Sequence, residues 1–181
     1  MRMSKKILIT LVCVLTVVSV AAGASLAYIF AKTPELENTF QPIWVSCRVE
    51  ENFDGVIKSD VAIRNTGDIN AYIRATVVIM WTSDSGSVHA LTPQKDIDYT
   101  VTGGSNKWVL GSDGFYYYIA PVSPEEVTDL LIGAISPLGT PPEGYTLTVH
   151  IAATAIQSDP PRAIEEAWGA TVTNTGTLTP P

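Results

Sequence analysis

From Ala71 to Trp81 every second residue is apolar: Ala71, Ile73, Ala75, Val77, Ile79 and Trp81. Tyr72, Arg74 and Thr76 take alternate positions. Successive side chains of a strand point to opposite faces, so this spacing predicts a long, half-buried strand. Tyr145, Leu147, Val149, Ile151, Ala153 and Ala155 repeat the pattern, with Thr146, Thr148, His150 and Thr154 opposite. Shorter alternations run from Val45 to Glu50, with Val45, Cys47 and Val49 on one face. A further one runs from Val56 to Asn65, with Ile57, Val61 and Ile63 opposed to Lys58, Asp60 and Arg64.

Turn chemistry separates these runs. Thr66-Gly67-Asp68 and Ser83-Asp84-Ser85-Gly86 are loop signals, and Tyr99 to Thr102 fits a short strand. Asp113-Gly114 lies between Lys107–Leu110 and Phe115–Ala120, and such a dipeptide between two strand-like runs predicts a hairpin. Glu125 to Gly133 fits a short helix or a strand, and Pro137 to Gly144 a loop. Pro160-Pro161 opens a helix over Arg162–Trp168, since proline suits a first helical turn. The expected fold is all-β, a jelly-roll or Ig-like β-sandwich over residues 43–170 with a short helix or two. Residues 171–181, rich in Thr, Gly and Pro, read as a flexible tail.

The front of the chain has a different character. Lys6 is followed by 25 residues without a charge, Ile7 to Ala31, behind Arg2, Lys5 and Lys6. A basic start before an apolar run predicts an export signal, here an N-terminal apolar helix. Ala22-Gly23-Ala24 and Ser25-Leu26-Ala27 both carry the small residues that signal peptidase needs. Residues 1–27 are therefore expected to be a signal peptide cut after Ala27, the alternative being an uncleaved anchor reaching to about residue 31. In either case the domain lies outside the cell, and the membrane is met only through the N-terminal segment.

All 18 acidic residues and 8 of the 11 basic ones follow Ala27, so that part carries a net charge of −10. Such a surface argues against nucleic acid and anionic lipid as partners. Only Cys47 remains beyond the signal, which leaves no intrachain disulfide, and its alternation with Ile43, Val45 and Val49 suggests a buried apolar role.

Catalytic patterns are sparse. His89 falls in a loop and His150 on the polar face of a strand, with no His-Glu-x-x-His spacing and no nucleophile elbow around Ser87. Asp54-Gly55, Gly67-Asp68 and Asp113-Gly114 are turns rather than calcium loops. The pairs Glu50-Glu51, Glu125-Glu126 and Glu165-Glu166 are adjacent, so on a strand they point apart. No catalytic, cofactor or metal residue is assigned. The aromatic group Trp108, Phe115, Tyr116, Tyr117 and Tyr118 is read first as cross-strand packing and second as an interface. Alternation would bury either Phe115 and Tyr117 or Tyr116 and Tyr118, leaving the other pair outside.

Several stretches together resemble a known family. They are Ala27-Tyr28 with Glu37-Asn38-Thr39-Phe40, Val61-Ala62-Ile63-Arg64-Asn65-Thr66-Gly67-Asp68 and Ala71-Tyr72-Ile73-Arg74-Ala75. The aromatic hairpin with Pro121-Val122, and Ala155-Ile156-Gln157 with Ala167-Trp168-Gly169, complete the set. The chain resembles SipW-dependent secreted proteins of Gram-positive bacteria, the TasA/camelysin-like biofilm matrix group. The resemblance implies a jelly-roll sandwich and a role as an extracellular fibre or matrix subunit. It also implies that residues 28–42 act as a donor segment adding as a strand to the next subunit, with Tyr28, Phe30, Leu36 and Phe40 as anchors. The implied partners are other copies of the chain, other matrix or surface proteins, and a dedicated signal peptidase. The alternatives are a camelysin-like surface protease, and an envelope binding module held in the membrane.

Overall fold

Alternating strands need a second apolar surface to cover them, and two sheets of the same chain cover each other. The computed structural model describes residues 5–6, 9, 12–20 and 43–181. The chain divides into two units, Met1–Gln41 and Pro42–Pro181. In the first, residues 12–20 are helical, with the Thr16 hydroxyl donating to the Cys13 carbonyl at 2.8 Å. Among the described residues no helix is long and apolar enough to cross a membrane. The remainder of the expected signal helix lies outside the described residues.

The second unit is mostly antiparallel β-sheet. Its strands are β1 (Cys47–Phe53), β2 (Lys58–Asn65), β3 (Ala71–Thr82), β4 (Tyr99–Thr102), β5 (Trp108–Leu110), β6 (Tyr116–Tyr118), β7 (Ile132–Pro137) and β8 (Thr146–Gln157). Helix α1 (Arg162–Trp168) and a final hairpin of β9 (Thr171–Val172) and β10 (Leu178–Thr179) follow. One four-stranded sheet has the order β1-β2-β7-β4 and the other β5-β6-β3-β8. Their inner faces share a core, with Val61, Ile63, Ile132 and Ile135 from the first and Ile73, Ala75, Trp108 and Tyr118 from the second. Each such large apolar side chain contributes roughly 1.5–3 kcal/mol when fully buried.

The two clean period-two runs pair with each other. Strands β3 and β8 align from Ala71↔Gln157 to Thr82↔Thr146 without a register shift. The hairpin expected around Asp113-Gly114 joins β5 to β6, and Gly114 takes the positive φ of 83° that the tight turn requires. Helix α1 occupies its expected span and ends at Gly169, whose N–H bonds to the Glu165 carbonyl. The stretch from Glu125 to Gly133 forms no helix: it makes a single isolated bridge at Val127 and enters β7 at Ile132.

Three expectations are corrected. Strand β2 starts at Lys58, and its pairing with β1 shifts between Glu50 and Asn52, where Asp60 adopts φ 54°. The extra β2 residue at this bulge re-aims the strand, and Val61, Ala62 and Ile63 are all buried. The outer face of β3 is not solvated at its start, since Tyr72 is only 2% exposed. The supposed tail explains this. Leu178 is 1% exposed and packs with Tyr72, Tyr117, Ile164, Trp168 and Ala170 in a second core outside the β3 sheet. The Tyr72 hydroxyl donates to the Gly176 carbonyl at 2.7 Å, and the Leu178 N–H donates to the Ile119 carbonyl at 2.8 Å.

The Asn-Thr-Gly-Asp stretch also has a structural account. Asn65 is fully buried; its amide donates to the Ile69 and Val122 carbonyls and its Oδ1 accepts from the Gly67 N–H. Thr66 and Asp68 N–H groups donate to the Ser46 and Trp44 carbonyls, both at 3.0 Å. A Cβ on Gly67 would lie 2.5 Å from the Trp44 carbonyl oxygen, so only glycine lets the two backbones approach. The Gly67→Ala variant is expected to lose about 1–3 kcal/mol in urea unfolding, whereas an unchanged midpoint would show the contact relaxes freely.

Candidate functional site

The free edges of the two sheets differ in length and chemistry. Strands β4 and β5, with four and three residues, are short. Strand β1 has seven residues, carries Arg48, Glu50 and Glu51, and has the β2 bulge opposite it. Charges and bulges are the usual means of blunting an edge. Strand β8 has none of them. Its 12 residues, Thr-Leu-Thr-Val-His-Ile-Ala-Ala-Thr-Ala-Ile-Gln, contain no Lys, Arg, Asp, Glu or Pro. Among the described residues it pairs with β3 on one side and ends the sheet order on the other. At about 3.3 Å per residue this edge runs for roughly 40 Å.

Beneath that edge the core is incompletely closed. Leu147, Val149, Ile151, Ala153 and Ala155 are only half-buried, unlike Ile73 and Ala75 of β3, which are fully buried. A cavity of about 420 Å³ opens between β8 and the β1–β2 hairpin, bounded by Phe53, Val56, Ile135, Leu147 and Val149. Phe53 and Val56 are each 64% exposed. Toward the other end of β8 a shallow groove of about 510 Å³ lies between Val45, Ala155, Ile156 and the α1 residues Ala163 and Ala167. The two hollows sit along one strand, with Thr146–His150 at the first and Ala155–Gln157 at the second.

The aromatic group proposed from sequence is spent on packing. Trp108, Tyr117 and Tyr118 are 8%, 0% and 6% exposed, and Phe115 and Tyr116 are half-buried. Neither alternate pair lies outside, because the hairpin is covered on both faces: Tyr118 meets Trp108 at 5.2 Å in the inter-sheet core, and Tyr117 meets Trp168 at 5.8 Å in the outer one. The Trp108 indole N–H donates to the Asp129 carbonyl. Arg74 lies over the Phe115 and Trp168 rings, 4.2 and 4.8 Å from their centres, and 3.6 Å from Asp113. The Tyr117 hydroxyl donates to Asp113 at 2.6 Å. Burial pushes the Asp113 carboxyl up, but hydrogen bonds from Tyr117 and the Phe115 N–H, with the Arg74 charge, hold it below 3.8. A carboxylate lowered in the folded state stabilises above its unfolded pKa, and that contribution is lost as pH falls through the folded value. On acidification below pH 3.8 the urea midpoint of Asp113→Asn is expected to fall less steeply than that of the parent chain. Parallel slopes would contradict the coupling.

The remaining candidates are placed separately. Tyr28, Phe30, Leu36 and Phe40 of the donor segment lie outside the described residues. His89 packs edge-on against Tyr145 with ring centres 4.7 Å apart, and its Nδ1 accepts from the Leu91 N–H. His150 is exposed on β8, and Ser87 bonds to Ser85. Glu50 pairs with Arg64 and Glu51 with Lys58, which separates these neighbours onto different partners. Among the described residues no group of three or more His, Cys, Asp or Glu side chains is arranged to hold a metal ion. Burial pushes the Cys47 thiol up, so it resists becoming a thiolate. Sequence reading found the β8 strand but not its position at an edge, which only the pairing order gives. Compared with known protein families, curated proteins and solved structures, the chain gives no match.

Proposed function

We propose that the protein is an exported, non-enzymatic structural subunit of a cell surface or extracellular matrix that assembles into fibres by strand addition. The acceptor is the outer edge of β8, and the donor is the segment of residues 28–41 from another copy. The observation that carries this is the uncharged, proline-free, unbulged 12-residue edge above a hollow whose walls join Phe53, Val56, Ile135, Leu147 and Val149 to the Glu51–Lys58 ion pair. Strand addition draws affinity from main-chain bonds along such an edge and specificity from alternate side chains in pockets. Tyr28, Phe30, Leu36 and Phe40 are apolar anchors of the size the hollows would take. A jelly-roll or Ig-like architecture, release by a SipW-type peptidase after Ala27, and kinship with the TasA/camelysin-like group belong to the same reading. The antiparallel two-sheet fold and the sequence resemblance support it.

The test compares three chains starting at Tyr28, Pro42 and, with the exposed His150→Lys, Tyr28 again. The first is expected to form concentration-dependent polymers. The second lacks the donor, and the third puts a charge at the acceptor edge, so both are expected to stay monomeric while keeping a β-rich circular dichroism spectrum. Polymers from the Pro42 chain as abundant as from the Tyr28 chain would defeat the reading.

A further inference from the structure

A third hollow lies between the sheets on the β4 side; no β8 residue lines it, and it shares Ile135 with the hollow beside β8. Its volume is about 360 Å³. Val77 and Ile79 of β3 and Ile132 and Ile135 of β7 give it apolar walls, and Thr92, Pro93 and Lys95 bring the 92–95 strap to it. Tyr99 of β4 and Tyr116 of β6 also line it.

The polar groups here are unspent. Among the described residues neither the Tyr99 nor the Tyr116 hydroxyl makes a hydrogen bond, and Lys95 pairs with no carboxylate. Among the described residues Lys95 is the one charged side chain lining the chamber, while the Asp96 charge acts on the Tyr99 hydroxyl from outside the wall and Asp98 accepts from the Gln94 N–H at 2.8 Å. An apolar pocket with a few convergent polar groups is the usual form of a small-molecule site.

We propose that this chamber binds a single-chain anionic amphiphile, a medium-length fatty carboxylate. The hydrocarbon chain lies against Val77, Ile79, Ile132 and Ile135. The carboxylate accepts hydrogen bonds from the Lys95 ammonium and the tyrosine hydroxyls, and a charge-assisted bond is stronger than a neutral one. The size fits one short chain, at the lower end of the roughly 300–1,000 Å³ range of ligand pockets. This inference does not rest on the assembly reading, because it uses neither β8 nor the donor segment.

Isothermal titration of the chain from Tyr28 onward with decanoate, and separately with decanol, tests it. One decanoate per chain is expected, with nuclear Overhauser contacts from its methylenes to the Ile132 and Ile135 methyl groups. Lys95→Met is expected to weaken decanoate about tenfold and leave decanol unchanged. Lys95 is exposed, so the variant keeps its fold. The absence of saturable decanoate binding, an affinity that Lys95→Met does not alter, or contacts only to residues outside the chamber would each overturn the proposal.

Discussion

Removing residues 171–181 is expected to destabilise the domain by about 3–5 kcal/mol. The deletion takes away Leu178, whose full burial contributes roughly 1.5–3 kcal/mol. It also takes the Gly176 carbonyl from the Tyr72 hydroxyl, and a lost hydrogen bond to a part-buried group costs about 1–3 kcal/mol. The Ser112 N–H loses the Pro181 carbonyl, and Tyr72, Tyr117 and Trp168 are left with one face uncovered. Urea unfolding measures the effect. A truncated chain with the parent midpoint would mean that the hairpin rests on the sheet without holding it. Leu178→Ala separates packing from chain length, and by the usual cost of emptying a core leucine site it should account for about 2–5 kcal/mol alone.

Asn65→Ala is expected to cost about 2–4 kcal/mol, from three hydrogen bonds at roughly 0.5–1.5 kcal/mol each in a fully buried site. The Ile69 carbonyl and the Gly67 N–H lose the partner that closes the turn. The Val122 carbonyl keeps a second donor, the Ala71 N–H at 3.0 Å, which limits the loss there. Asn65→Asp offers a control: it keeps the acceptor for Gly67 and removes the donors to Ile69 and Val122. It is expected to be as damaging as alanine or more so, because it buries a charge. If both variants unfold at the parent midpoint, the turn is held by Thr66 and Asp68 alone.

The strands that carry the fold were readable where one face is apolar and the other polar. Strands β3 and β8 met that condition, and so did the Asp113-Gly114 hairpin and the proline-led helix. What escaped was burial on faces that look polar. Tyr72 alternates with apolar neighbours yet is buried, and alternation in the hairpin offered burial of Tyr117 or of Tyr118 where both are buried, because a second layer that includes the chain's last residues covers the outer face. No local pattern announces that layer, since β9 and β10 are two residues each. Strand β7 was hidden for another reason: its fully buried residues, Ile132 and Ile135, are three apart and share no period-two signal. The candidate edge was half legible, since the composition of β8 shows in the sequence while its place at the end of the sheet depends on the order of strand pairing.

The unequal margins of the two sheets also set a geometry. Among the described residues one long border has no strand beside it and the other long one is charged and kinked, so main-chain pairing with a newcomer is favoured along a single line. In the proposed assembly, each copy would take one donor segment along this border, so copies would follow each other in single file and the thread would carry an unused donor at one tip and an open edge at the other.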